Sequence, residues 1–102
     1  MIEDVLEERG KRYGSFDTHA DIAQELKEVM RAAPAWHNLP SNDMLEALEM
    51  IQHKIARILN GDPTYDDNWI DIAGYATLIA ERLKSTKPKQ GLFVFDDDGS
   101  ID

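Results

Sequence analysis

Apolar positions in this chain recur at helical spacing, and Gly and Pro punctuate them into separate runs. Ile2, Val5 and Leu6 predict a short first helix over residues 2–8. The segment RGKRYGSF at 9–16 ends it, with Gly10 and Gly14 as breakers and Arg9, Lys11 and Arg12 within four positions. Asp17 and Thr18 are good N-caps for a second helix to about residue 33. Ile22, Leu26, Val29, Met30 and Ala33 form one face of it at i, i+4, i+7, i+8 and i+11. Pro34 and Pro40 bracket a loop that carries Trp36 and His37. Ser41 caps a third helix that runs to about residue 59 and stops at Asn60-Gly61. Pro63 and the polar run 64–67 precede a fourth helix over about 68–84. No strand alternation occurs before residue 90, and there is no internal repeat. The expected fold is therefore all-α: a compact bundle of about four helices in one domain, 1–84. The segment 85–102 is a linker-like stretch, then LFVF as a docking strand or apolar clip, then a solvated acidic end. We expect this tail to be flexible or to dock on a neighbouring subunit. Its carboxylates lack the alternation and glycine position of a calcium loop.

The third helix sorts its residues by face. Met44, Leu48, Ile51, Ile55, Ile58 and Leu59 make an apolar stripe expected to enter the core. Glu46, Glu49, His53 and Arg57 make a polar row on the other side, and Lys54 lies between them. Such a row is ordinarily a solvated face with favourable i, i+4 pairs, for example Glu49 with His53. The fourth helix qualifies that reading. Asp71 is the one charged residue in WIDIAGYATLIA at 69–80. A carboxylate in so apolar a helix is costly to desolvate without a cation, hydrogen-bond donors or a metal ion. Lys54 or Arg57 would serve as an ion-pair partner. Alternatively, Glu46 and Glu49 at i, i+3 on one helix, facing Asp71 on the next, would make an oxygen cage suited to Mg²⁺. Asp67 and Asn68 share a face with Asp71, and Asp66 or Asp67 can cap the helix and complement its dipole.

Composition narrows the class. Hydrophobic content of 42% and charged content of 30% in 102 residues suit one folded domain. The absence of cysteine removes thiolate metal sites. No run is long enough to span a bilayer, and the acidic N-terminus has no signal-peptide pattern, so a cytoplasmic protein is expected. A net charge of −9 argues against direct nucleic-acid binding, although a divalent cation can still bridge the chain to a phosphorylated small molecule. His19, His37 and His53 have no zinc-type spacing. Tyr13, Phe16, Trp36 and Trp69 read more simply as packing residues than as base-stacking groups.

The pair Glu46-x-x-Glu49 followed by Asn68-x-x-Asp71 in an apolar helix resembles the ExxE…ExxD signature of the MazG-like all-α nucleoside triphosphate pyrophosphohydrolases. RGKRYGSF, KIARI at 54–58 and DNWIDIAGYA at 67–76 further resemble small phage and prophage proteins placed near that superfamily. The resemblance covers about residues 9–83. It implies a bundle that forms a dimer or tetramer, in the host cytoplasm if phage-encoded. It also implies Mg²⁺ (or Mn²⁺) held by Glu46, Glu49, Asp71 and, by substitution, Asp67. Water would attack the α–β phosphate linkage and release a nucleoside monophosphate and pyrophosphate. Lys54 and Arg57 would neutralise phosphate charge, and Lys11, Arg12 and Tyr13 would close over phosphate or base. Asn68 stands where the signature has a fourth carboxylate, and a neutral amide cannot act as a base. The competing expectation is a non-catalytic helical module that binds a nucleotide or a host protein.

Overall fold

The computed structural model describes residues 1–86, and all regular structure in them is helical. Helix α1 spans Ile2–Tyr13, α2 Phe16–Ala32, α3 Asn42–Asn60 and α4 Asp66–Thr86, with a single 3-10 turn at Trp36–Asn38. Residues 87–102, on which the expectations for LFVF and the acidic end fall, lie outside the described residues.

The first helix is longer than its periodicity predicts. Gly10 stays helical because its surroundings are open and a mid-helix glycine costs only about 1 kcal/mol against alanine. Acidic Glu3 and Asp4 at its start and basic Lys11 and Arg12 at its end complement the helix dipole. The true stop is Gly14, at φ 77° and ψ −167°, a conformation open essentially to glycine alone. The cap of α2 is then Ser15, with extended backbone, and not Asp17. Pro34 ends α2 and Ser41 begins α3 as expected. Helix α4 starts at Asp66, where Asp62 accepts hydrogen bonds from the Thr64 backbone N–H (2.9 Å) and hydroxyl (2.6 Å) in an Asx turn.

α3 is the central helix. It packs on α2 and on α4, and α1 rests against α3 and α2. A junction at one end of the molecule holds α1 in place. The Asn60 amide donates to the carbonyls of Tyr13 (2.8 Å) and Ser15 (2.9 Å), and its oxygen accepts from the Thr18 hydroxyl (2.7 Å). The Asp62 backbone N–H donates to the Arg12 carbonyl. Elsewhere, Arg82 on α4 hydrogen-bonds to Asp43 and Ser41 at the start of α3.

The apolar stripe expected to enter the core does so only in part. Among the described residues the fully buried apolar ones are three alanines, Ala23, Ala47 and Ala56, and the other buried residues are His19, Gln52, Lys54 and Asn68. Leu48, Ile55 and Leu59 of the α3 stripe are exposed, as are Trp69, Ile70 and Leu78 on α4. The helix containing Asp71 is apolar around most of its circumference, but the chain covers one side of it.

Candidate functional site

Three helices converge on a cleft of about 230 Å³. α1 contributes Arg9 and Tyr13 from successive turns. The start of α2 contributes Phe16 and His19, three residues apart. α3 contributes His53 and Arg57 at i, i+4, so both project to one side. The Asn60 junction fixes the angle between α1 and α2, and with it the mouth of the cleft.

The electrostatics of the cleft contrast with the chain as a whole. The Arg57 guanidinium carbon lies 4.1 Å from the Tyr13 ring centroid, and Arg9 approaches the same ring at 5.3 Å. Among the described residues neither Arg9 nor Arg57 has a carboxylate partner in an ion pair. Their charge is met instead by the negative face of an aromatic ring. Next to them, Arg12 sits 4.2 Å over the Tyr65 ring while pairing with Glu8 at 2.8 Å, and the Tyr13 and Tyr65 rings lie 6.1 Å apart. His19 and His53 meet edge to face at 4.6 Å, and Phe16 stands at the rim, 79% exposed.

Both imidazoles are held neutral. Burial is the first cause for His53, followed by the positive charge of Arg57, and together they lower its pKa from 6.5 to about 4. Burial and then Arg57 lower His19 in the same sense. The imidazole Nδ1 of His19 is buried with no hydrogen-bond partner in the protein. The consequence for stability follows from proton linkage. An unfolded His53 takes up a proton near pH 6.5 while the folded one resists it, so protonation favours unfolding. Stability should hold above pH 6.5 and fall as pH drops towards 4. Urea midpoints measured against pH should show this slope, and His53→Gln should flatten it partly, with His19 supplying the remainder. A slope unchanged in the variant would reject the assignment.

The carboxylates singled out by sequence do not line this cleft, and three of them are individually engaged. Asp71 pairs with Lys54 at 3.0 Å, with side chains 45% and 11% exposed respectively. Glu49 pairs with Arg31 of α2 at 3.3 Å, and Asp67 accepts from the Tyr65 hydroxyl at 2.7 Å. Glu46 and Lys11 are exposed, and Asn68 is fully buried with its amide nitrogen unpartnered. Among the described residues, no group of three or more His, Asp or Glu side chains is arranged to hold a metal ion. Of the two partners open to Asp71 in the protein, the structure selects Lys54; Arg57 faces Tyr13.

Of the cleft residues, Arg57 and Tyr13 are among the contacts that the resemblance implies for a substrate, whereas Arg9, Phe16, His19 and His53 are assigned no such role by the sequence. A usable signal existed for His53, which is i, i+4 from Arg57. Its juxtaposition with His19 depends on how α2 lies on α3. The family described as a domain of unknown function, DUF6378, matches residues 2–83 of the chain. No curated protein and no solved structure matches it. Among the described residues no helix is long and apolar enough to cross a membrane.

Proposed function

Starting from the chain's membership of the DUF6378 family, a domain of unknown function, we propose that it is a helical module that binds a nucleotide in the cleft between α1, α2 and α3. The observation that carries this reading is the pair of arginines, Arg9 and Arg57, without carboxylate partners among the described residues of a chain of net charge −9. Anionic phosphates are the ligands that arginine matches with paired, charge-assisted hydrogen bonds. The exposed ring of Phe16 at the rim offers a base a stacking face, worth about 1–3 kcal/mol per base in single-strand binders. Titration calorimetry with nucleoside mono-, di- and triphosphates at pH 7 tests it. Saturable binding is expected without Mg²⁺. Arg57→Ala should weaken it about 10- to 100-fold, equivalent to the ~1.5–3 kcal/mol of a hydrogen bond to a charged group. Binding unaffected by Arg57→Ala would reject the cleft.

One observation supports the second reading, Mg²⁺-dependent pyrophosphohydrolysis. Glu49 and Asp71 each already hold a cation, Arg31 and Lys54, at positions where the resemblance to MazG-like enzymes would put a metal. In that reading Asp71, Glu49, Glu46 and Asp67 would be the residues to hold Mg²⁺, which when bound would clamp the triphosphate and activate water. Pyrophosphate release with Mg²⁺ or Mn²⁺, abolished by Asp71→Asn and by Glu49→Gln, would favour the enzyme. Binding with no turnover favours the module.

Self-association belongs to the same proposal. Leu48, Ile55, Leu59, Trp69, Ile70 and Leu78 are large apolar residues exposed on α3 and α4, and apolar surface from a further chain would cover them.

A further inference from the structure

Arg9 and Arg57 line the cleft between α1, α2 and α3, and among the described residues no carboxylate lines it. His53 stands on its wall one helical turn before Arg57, half-buried, with its ring centroid 4.6 Å from that of His19. His19 is only 5% exposed and its Nδ1 is sealed without a partner, so His53 is the more open of the two imidazoles. The charged groups around His53 are nearly all positive. Arg9 faces the cleft from α1 beside the Tyr13 phenol, Lys27 lies on α2, and Lys54 and Arg57 lie on α3. Glu49, one turn earlier on α3, is engaged by Arg31. An imidazolium at His53 therefore finds no counter-charge within the protein, and burial and Arg57 together keep the ring neutral. An anion from outside is what the geometry leaves to supply that counter-charge.

We propose that His53 is a phosphate-binding residue of this cleft and that it takes up one proton when the phosphate of a nucleotide enters beside Arg57. The inference rests on the nucleotide reading above and assigns a role to a residue of the same site. A phosphate reverses the local sign, so the surroundings that disfavour the imidazolium come to favour it. The protonated ring has two N–H donors and no acceptor, so whichever nitrogen faces the phosphate donates a charge-assisted bond. Arg9 and Arg57, both stacked on Tyr13, supply the permanent charge of the cleft. His53 adds a third charge only while the ligand is there. Uptake stops at one proton, because a second imidazolium at His19, 4.6 Å away, would set like charges against each other. Binding is thereby linked to pH, and the contribution of His53 to affinity grows as the solution becomes more acidic.

The test is titration calorimetry of the full chain with AMP, ADP and ATP at about pH 6, in two buffers of different ionisation enthalpy, so that the difference in heat counts protons. The terminal phosphate itself titrates near pH 6, but that contribution is common to the wild type and the variant. The wild type is expected to take up about half to one proton more than His53→Gln, and its affinity advantage over the variant should grow about tenfold between about pH 7.5 and about pH 5.5. Nitrogen NMR of the wild type reads the same event without any variant: on saturation with ADP the His53 ring should become doubly protonated. Equal proton uptake in the two proteins, or a His53 ring that stays neutral in the complex, would overturn this inference while leaving nucleotide binding standing. No saturable binding of any of the three nucleotides would overturn both.

Discussion

Replacing Gly14 with alanine should cost at least about 3 kcal/mol, which for a domain of this size lowers the melting temperature by roughly 15 °C. Two independent effects act in the same direction. The backbone at Gly14 has φ 77° and ψ −167°, where a side chain adds about 1–3 kcal/mol of strain. A Cβ placed there would also lie far inside van der Waals contact with the carbonyl oxygen and the side chain of Asn60. Relief would require Asn60 to move, yet Asn60 supplies the hydrogen bonds that join α1, α2 and α3. The effect should extend to the cleft, because Arg9 and Tyr13 are carried on α1. Gly10→Ala is the matched control. It lies in open surroundings within the same helix and should stabilise the chain by about 0.5–1 kcal/mol. Thermal unfolding followed by circular dichroism compares the two. A Gly14→Ala protein within 1 kcal/mol of wild type would show that this junction does not hold the fold together.

The second large effect concerns Asp71 and Lys54. Asp71→Ala leaves a buried ammonium without its counter-charge. Breaking a fully buried pair costs ~3–5 kcal/mol, but this carboxylate is nearly half exposed, so solvent screening reduces the expected loss to about 2 kcal/mol. Replacing both residues, as in Lys54→Met with Asp71→Leu, removes the orphaned charge and should recover most of the stability. A double-mutant cycle by urea denaturation therefore gives a coupling energy of at least about 1 kcal/mol. The same proteins decide the role of the metal. If Asp71 is a Mg²⁺ ligand, Mg²⁺ raises the melting temperature of the wild type and not of Asp71→Asn. If Lys54 alone compensates Asp71, Mg²⁺ shifts neither. Strictly additive substitutions would reject the ion pair as a source of stability.

These predictions differ in how far the sequence anticipated them. The helices were legible because their signals are local: i, i+4 periodicity, Ser41 as a cap, and Pro34 and Pro63 as breaks. The end of α1 was misplaced because Gly10 and Gly14 are the same residue type in two different environments. One sits in open space in a helix, the other faces Asn60 more than forty positions away. The isolation of Asp71 was visible in the chain, and so was the pair of cations able to meet it. The choice of Lys54 over Arg57 was not, since it depends on which side of α3 faces α4. The cleft was not legible as a site: Tyr13 and Arg57 entered only through the resemblance and beside a different set of carboxylates, and His19 and His53 carry no local pattern that implies contact.

The sequence by itself determined that the described residues are helical, the positions of most helix starts and stops, and a lone carboxylate that had to be compensated. Each follows from interactions within a few residues, where spacing along the chain and distance in space are nearly the same thing. Only the tertiary structure decided that Lys54 compensates Asp71 and that, among the described residues, Arg9 and Arg57 share a ring and not a carboxylate and the fully buried apolar set is three alanines. Those outcomes depend on the rotation and crossing of helices about α3, set by the sum of many side-chain contacts and by single long-range clasps such as Asn60. No short stretch of sequence contains that sum.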